Sequence, residues 1–274
     1  MNKQRIFAGL LASALLLSGC SGSKEPETIN TSEAFSALTQ GLETWNSAQA
    51  RYIGISGSIL AEYNDSPSAV QFSGMYQNKA ADNGDEVYSL LTFRYGDDYY
   101  YNYYYMSDGE RYVAAVEGGS SSSSSTDSSD SVYTSEELDA DTFASFTGYA
   151  RSELVFDESQ ISAVTMETDK ESGVDTYHFT LNPSTCADEA IALLEQFQYI
   201  DTTTAEITCE VASMSFDASF SDESLQSISY TVNCDLTCEG EVLTNSFRFS
   251  HTLNGLNDEV DFSVPDLDAV LEST

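Results

Sequence analysis

The sequence is poor in basic residues and in histidine. It has 10 lysines and arginines against 45 aspartates and glutamates, a net charge of −35, and only 2 histidines. A body this acidic repels phosphate backbones, which excludes nucleic acid as a partner. The acidic residues are scattered along the chain, a pattern typical of a solvated surface. The segment DNGDE at 82–86 lacks the ligand spacing of a calcium loop.

The N-terminus lacks an apolar run long enough to cross a bilayer. The run from Ile6 to Leu17 has about twelve residues, whereas a membrane helix needs roughly twenty. It follows Lys3 and Arg5, as in a secretory signal. Its end, LSGC at 17–20, resembles the lipobox of bacterial lipoproteins. The resemblance implies cleavage of residues 1–19 and a diacylglyceryl group on Cys20. The alternative is a plain secretory signal with an incidental cysteine.

A diacylglyceryl group on Cys20 would decide where the protein resides. Two acyl chains give a stable membrane anchor where one gives only marginal binding. We therefore expect a lipid-anchored protein on the extracytoplasmic face of a cell membrane. Residues 20–30 are small and polar, which predicts a flexible tether. Residues 31–274 are then one domain, and we expect a monomer.

Motifs of catalysis are scarce. The sequence has no serine-centred nucleophile elbow and no glycine-rich phosphate loop. His178 alternates with apolar neighbours and falls on a polar strand face, whereas His251 shares a face with Phe249 and Leu253. A histidine on an apolar face is more often a hydrogen-bonded core residue than a catalyst. We expect neither enzymatic activity nor a cofactor.

Cysteine is also sparse, with five in the chain. Besides Cys20 there are Cys186, Cys209, Cys234 and Cys238, an even number that permits disulfides outside the cytoplasm. A turn at 221–223 sets Cys209 opposite Leu236, with Cys234 and Cys238 as diagonal neighbours. This register allows a bridge from Cys209 to either one, or buried free thiols. The spacing fits no metal site.

Hydrophobic periodicity predicts a mainly β protein of the α+β class. Residues 31–50 carry an apolar stripe of helical period, at Phe35, Leu38, Leu42 and Trp45, and Thr31 or Ser32 is a suitable cap. The period then changes to two through a series of strands joined by short turns. A second helix is expected after Pro183, and helical pieces within 134–150.

The C-terminal strands are long, and in one of them the apolar residues change from odd-numbered to even-numbered positions. Apolar positions are odd from Ile207 to Val211 and even from Met214 to Phe220, which predicts a β-bulge near 212–213. A last strand is expected at 260–264. Strands of this length must twist and curl. We therefore predict a strongly curved antiparallel sheet or half-barrel of about eleven strands, with two or three helices covering its concave face.

A serine-rich segment interrupts this pattern. Residues 118–131 read GGSSSSSSTDSSDS, too polar to bury the area that ordering requires. We predict a disordered insertion over residues 118–133.

The order of elements resembles that of a known family. A helix precedes a meander with YYYMSDGERYVAA at 103–115, and a final meander ends in DEVDFSVPD at 258–266. This arrangement resembles the lipoprotein-carrier superfamily of LolA and LppX, and especially its Gram-positive relatives. The resemblance implies a half-barrel with a helical lid and a hydrophobic cavity for acyl chains. The serine-rich insertion, the acidity and the cysteines depart from it.

The tyrosine strand at 95–105 carries rings on both faces. One face has Tyr99, Tyr101, Tyr103 and Tyr105, and the other has Tyr100 and Tyr104. On a half-barrel the first set would line the cavity wall, joined by Phe247 and Phe249, although the pattern alone leaves open which face is inward. The favoured alternative is a β-rich, aromatic strand that is packed for stability.

Two functions follow from these patterns. The first is a membrane-anchored protein that binds a lipid or another apolar ligand in the half-barrel cavity. The second is a cell-surface interaction module that binds a glycan or protein through exposed tyrosines.

Overall fold

The structure is a computed structural model of the chain. It describes residues 27–63, 66–82, 85–95, 98–107, 109–118, 133–197, 200 and 206–262. The predicted signal peptide, Cys20 and most of the tether therefore lie outside the described residues, as do residues 119–132 of the serine-rich insertion.

The described residues form twelve strands and three α-helices. The strands are β1 (Glu27–Thr28), β2 (Ala50–Tyr63), β3 (Ser66–Lys79), β4 (Glu86–Tyr95), β5 (Asp98–Ser107), β6 (Glu110–Gly118), β7 (Tyr133–Glu137), β8 (Ile161–Thr168), β9 (Asp175–Leu181), β10 (Ile207–Ser221), β11 (Ser224–Cys238) and β12 (Glu241–Leu256). The helices are α1 (Thr31–Ser47), α2 (Ala140–Phe146) and α3 (Ala187–Gln196). Short 3-10 turns occupy Gly148–Ala150, Glu158–Gln160, Pro183–Thr185 and Asn257–Glu259.

All twelve strands belong to one open antiparallel sheet. Their order is β1-β8-β9-β10-β11-β12-β2-β3-β4-β5-β6-β7. The N-terminal meander β2–β7 and the C-terminal meander β8–β12 meet where β12 pairs with β2. The predicted class, a mainly β protein with a curved antiparallel sheet and helices on one face, is confirmed. Strands β1 and β7 are additions to the predicted set.

The two faces of the sheet differ in chemistry. On β12, Phe247, Phe249 and His251 are buried, whereas Arg248 and Thr252 between and beyond them are exposed. We call the buried side, which packs against the helices, the inner face, and the opposite side the outer face. The alternation follows from the period of two along a strand.

Helix α1 packs on the inner face through the predicted stripe. Leu38, Leu42 and Trp45 are buried, and the Trp45 indole donates a hydrogen bond of 3.0 Å to the carbonyl of Leu225. The cap is Asn30 rather than the expected Thr31 or Ser32, since its Oδ1 accepts from the Glu33 amide at 3.1 Å. The helix therefore begins where predicted but ends three residues earlier, at Ser47.

The predicted β-bulge is confirmed. The register of β10 on β11 shifts between Val211 and Ser213. The shift lets Cys209 and Val211 share a face with Met214 and Phe216 despite their opposite parity. The bulge thus keeps apolar side chains of the whole strand on the inner face.

The helical pieces predicted within 134–150 are confirmed as α2 and the 3-10 turn Gly148–Ala150, whereas residues 133–137 before them form strand β7 on β6. The strand predicted at 260–264 is wrong over its described residues. Residues 257–259 form a 3-10 turn and Val260–Phe262 are not in a strand, whereas 263–264 lie outside the described residues. Short segments with few apolar residues take their state from their neighbours in the sheet, which a local pattern does not reveal.

No helix among the described residues has the length and apolar character needed to cross a membrane.

Candidate functional site

The inner face of the tyrosine strand is marked by Tyr104. Its ring lies 5.7 Å from that of Phe146 and 6.4 Å from that of Tyr149, and its side chain is buried. Burial raises the pKa of Tyr104 to about 12. Because successive side chains of a strand alternate, Tyr103 and Tyr105 then belong to the opposite face, which decides the parity that the sequence left open. A ligand role for Tyr103 and Tyr105 stays a prediction.

Tyr103 and Tyr105 lie on the outer face and are half-buried. The ring of Tyr105 stacks on that of Tyr112 with 4.9 Å between centroids. On the neighbouring strand Tyr88 is buried, which raises its pKa to about 12. These tyrosines form an aromatic band across β4, β5 and β6. The side chains of Tyr99, Tyr100 and Tyr101 lie outside the described part, so a ligand role for Tyr99 and Tyr101 stays a prediction.

Phe247 and Phe249 lie on the inner face as expected, but other rings fill the space beside them. Phe197, at the end of α3, lies 5.3 Å from Phe247 and 4.6 Å from Phe249. Its ring is also 5.0 Å from Phe72, which packs so closely on Gly57 that a Cβ there would lie 2.2 Å from Phe72 Cζ. Their role in binding a ligand stays a prediction.

Open space lies on the outer face, in two adjoining grooves. One has a volume of about 540 Å³ and the other about 470 Å³, and they share Ser56, Ser73 and Thr92. We call the two together the outer groove. The first is further lined by Gly57, Ser58, Gln71, Phe72, Arg94 and Arg248, and the second by Tyr52, Gly54, Ile55, Gly74, Met75, Leu90 and Thr252.

The register of four strands explains this shape. Arg248 on β12 pairs with Ser58, Ser58 with Gln71, and Gln71 with Arg94 on β4. The next row along the strands runs Ser250, Ser56, Ser73 and Thr92. Short side chains thus make the floor, with an arginine on each side of it. Neighbouring strands lie roughly 4.8 Å apart, so the backbones of the two arginines are about 14 Å apart.

The electrostatics of the outer groove differ from those of the whole chain. None of the described residues that line it is an aspartate or glutamate, although the chain has 45 of them. Two of its 10 basic residues, Arg94 and Arg248, line it together. At one end lie the apolar side chains of Met75 and Leu90 with the ring of Tyr52. The site therefore joins hydroxyls, cations and an aromatic ring.

His251 is buried, and both of its ring nitrogens make hydrogen bonds within the core. Its Nε2–H donates a hydrogen bond of 2.8 Å to the carbonyl of Tyr149, and Nδ1 accepts one of 3.2 Å from the Ser152 hydroxyl. Burial lowers the pKa of His251 to about 4. This neutral imidazole joins β12 to the segment after α2 and has both nitrogens occupied.

His178 lies on the outer face, as its place among threonines predicted. Its Nδ1 is 2.8 Å from Asp217 Oδ1. The hydrogen bond to Asp217 raises the pKa of His178 against the opposing effect of burial.

The four described cysteines, Cys186, Cys209, Cys234 and Cys238, are free thiols in this structure. Cys209 pairs with Leu236 and Val211 with Cys234, so the predicted register, with Cys209 and Cys234 as diagonal neighbours, is confirmed. The hydrogen bond with Cys209, together with burial, raises the pKa of Cys234. Diagonal positions have Cα atoms about 7–8 Å apart, longer than an ordinary disulfide. Whether Cys209 bridges to Cys234 or Cys238 in the oxidised protein stays a prediction.

Among the residues that the structure describes, no group of three or more histidine, cysteine, aspartate or glutamate side chains is arranged to hold a metal ion.

Comparison with known proteins gives no family. No protein-family model matches the sequence, and no curated protein matches it. Among solved structures, the ywiB protein from Bacillus subtilis is 8% identical and aligns over 76% of this chain and 94% of that one, with a TM-score of 0.21. A DUF1329 family protein from Desulfovibrio piger is 10% identical over 83% and 95%, with a TM-score of 0.26. TM-scores of this size carry no argument about ancestry or ligand.

Proposed function

We propose that this chain is a lipid-anchored extracytoplasmic binding protein that takes its ligand in the outer groove. The anchor is the diacylglyceryl group expected on Cys20. The basic start, the short apolar run and the LSGC sequence at 17–20 support it. The protein then acts by holding a ligand or partner near the membrane, without catalysis.

The observation that carries this proposal is the shape of the outer face. The outer groove is an open depression on the sheet, and its volumes of about 540 and 470 Å³ fall within the range of small-molecule sites. Its floor belongs to central strands of the sheet, which hold it rigid. The aromatic band of Tyr88, Tyr103, Tyr105 and Tyr112 continues the same face. This arrangement supports the surface-binding hypothesis, with the difference that Tyr104 is buried in the core.

An apolar ligand on the inner face is the second candidate. The observation in its favour is the aromatic layer around Phe197, where rings from the sheet meet a ring from the end of α3. A lipid there would take the place of the Phe197 ring against Phe247 and Phe249. This is the half-barrel carrier that the family resemblance implies.

Native mass spectrometry distinguishes the outer groove from the inner face as the ligand site. The sample is the whole chain, purified in detergent from its own cell envelope. Ser73 is exposed in the floor of the outer groove, so Ser73→Trp fills the groove without disturbing the core. We expect a co-purifying ligand to be lost from Ser73→Trp and retained by Phe197→Ala. The reverse result would place the ligand on the inner face. An adduct that survives both changes contradicts both sites.

A further inference from the structure

We propose that the outer groove binds an acidic oligosaccharide, a hydroxylated ligand that carries carboxylate or phosphate groups. This deepens the proposed function and rests on it. Arginine presents a planar fork of donors that matches carboxylate and phosphate oxygens in bidentate pairs. In the outer groove, Arg248 and Arg94 lie at the two ends of one row of paired residues across the strands. None of the described residues that line the groove has a carboxylate.

The positive charge of the two arginines contrasts with the negative charge of the rest of the chain. A net charge of −35 repels anions at long range. Salt screens that repulsion over about 8 Å at physiological ionic strength, whereas pairs in contact are screened less. A ligand with one or a few anionic groups is therefore accepted, and a densely charged polyanion is not. The same repulsion disfavours an anionic membrane surface as the occupant.

The floor between the arginines indicates the class of ligand. Ser56, Ser58 and Ser73 present hydroxyls, and Gln71 presents an amide. Ser56 and Ser250 lie within hydrogen-bond distance, 2.9 Å between their Oγ atoms, so neighbouring hydroxyls on this face can bond to each other across the strands. Each hydroxyl both donates and accepts, as sugar hydroxyls do. The ring of Tyr52 at the other end offers a surface on which a sugar ring can pack.

An extended peptide fits this groove less well. Peptides that bind to sheets add a strand at an exposed edge, where backbone groups are unpaired. The outer groove lies over β12, β2, β3 and β4, which are in the middle of the sheet and pair with neighbours on both sides. Recognition there depends on side chains. A ligand rich in hydroxyls and spanning about 14 Å between the arginine backbones uses them best.

Isothermal titration calorimetry with matched sugars tests this inference on the whole chain. The probes are tetragalacturonate, its fully methyl-esterified form, which is neutral on the same skeleton, and inorganic phosphate. We expect tetragalacturonate to bind, and the ester to bind at least about tenfold more weakly, since charge-assisted hydrogen bonds are lost. Arg94→Gln and Arg248→Gln should each lower the affinity for tetragalacturonate by a similar factor. Lys170→Gln removes the same charge from an exposed turn and should leave binding unchanged.

The outcomes separate this inference from the proposed function. Equal affinity for the acid and the ester, or no effect of either arginine change, overturns the anionic class. Phosphate that binds as tightly as the acidic sugar and competes with it overturns the oligosaccharide class. Absence of binding by the acidic sugar overturns the inference as well. In each case, loss of the co-purifying ligand from Ser73→Trp still supports the outer groove as the site, and its retention overturns the proposed function.

Discussion

The imidazole of His251 is tied to the carbonyl of Tyr149 by a hydrogen bond of 2.8 Å from Nε2. Tyr149 is itself fixed, because its hydroxyl lies 2.7 Å from that of Ser89 on β4. One buried chain of hydrogen bonds thus joins β12, the turn at 148–150 and β4. Buried polar chains of this kind hold elements in a single arrangement when every member is satisfied.

Stability should depend on pH through His251. Its folded-state pKa is lowered by burial to about 4, below the ordinary value of 6.5. The unfolded chain therefore binds more protons between these values, and the free energy of unfolding falls as pH drops from about 6.5 to 4. The difference corresponds to about 3 kcal/mol. Urea unfolding at a series of pH values, followed by the fluorescence of the one tryptophan, Trp45, measures this change in the free energy of unfolding.

The control is a histidine with the opposite shift. The pKa of His178 is raised by Asp217, so its contribution is present below pH 6.5 and lost as pH rises through the folded-state pKa. His251→Gln should therefore cost most stability at pH 7.5 and less at pH 4.5. His178→Gln should show the reverse trend. Parallel pH profiles for the two variants would contradict the assignment.

Phe197→Ala should open a cavity beneath α3. The ring fills the space between Phe72, Phe247 and Phe249, so its loss should lower the free energy of unfolding by about 3–5 kcal/mol. Leu60→Ala removes an apolar side chain that is 49% exposed and should cost far less. Chemical denaturation of both variants makes the comparison. Equal losses would show that Phe197 is not part of the core.

The thiols should remain reduced in the folded protein. Cys209 and Cys234 lie at diagonal positions of β10 and β11, and their thiols are hydrogen-bonded rather than linked. Alkylation under denaturing conditions, before and after reduction, counts free thiols by mass. We expect the same count for Cys186, Cys209, Cys234 and Cys238 in both samples. A count that rises by two after reduction would reveal a bridge.

Cys20→Ala should release the protein from the membrane. The acyl chains on Cys20 are the expected anchor, and no helix among the described residues could cross a membrane in their place. We expect wild type in the detergent phase and Cys20→Ala in the aqueous phase of a phase separation. Metabolic labelling with a palmitate analogue should mark only the wild type. Membrane retention of the unlabelled variant would contradict lipidation.

The sequence was most informative where one face of a strand is apolar and the other polar. The bulge at 211–213 and the pairing of Cys209 with Leu236 both followed from the parity of apolar residues. The inward face of β5 did not, because tyrosines occupy both of its faces. There, contacts from Phe146 and Tyr149 decide the orientation, and these residues belong to a distant part of the chain.

The pattern of the sequence did not predict the outer groove, for a related reason. Its floor consists of serines and glycines that are ordinary in exposed strands. Arg94 and Arg248 lie in different meanders and share one row only through the pairings of β12 with β2, β2 with β3 and β3 with β4. A linear pattern records periodicity within a strand, whereas this site arises from the order of strands.

That order also sets the sequence of events in biogenesis. The N-terminal meander can assemble as soon as its own strands have been synthesised, but its β2 edge waits for β12, the last of the described strands along the chain. Contacts so distant along the chain form slowly. Until they form, the groove has the arginine of β4 without that of β12, and the edge of β2 is open to mispairing. For the ligand site proposed in the outer groove, we therefore expect binding to require the completely folded chain, and a chain clipped before β12 to lose it.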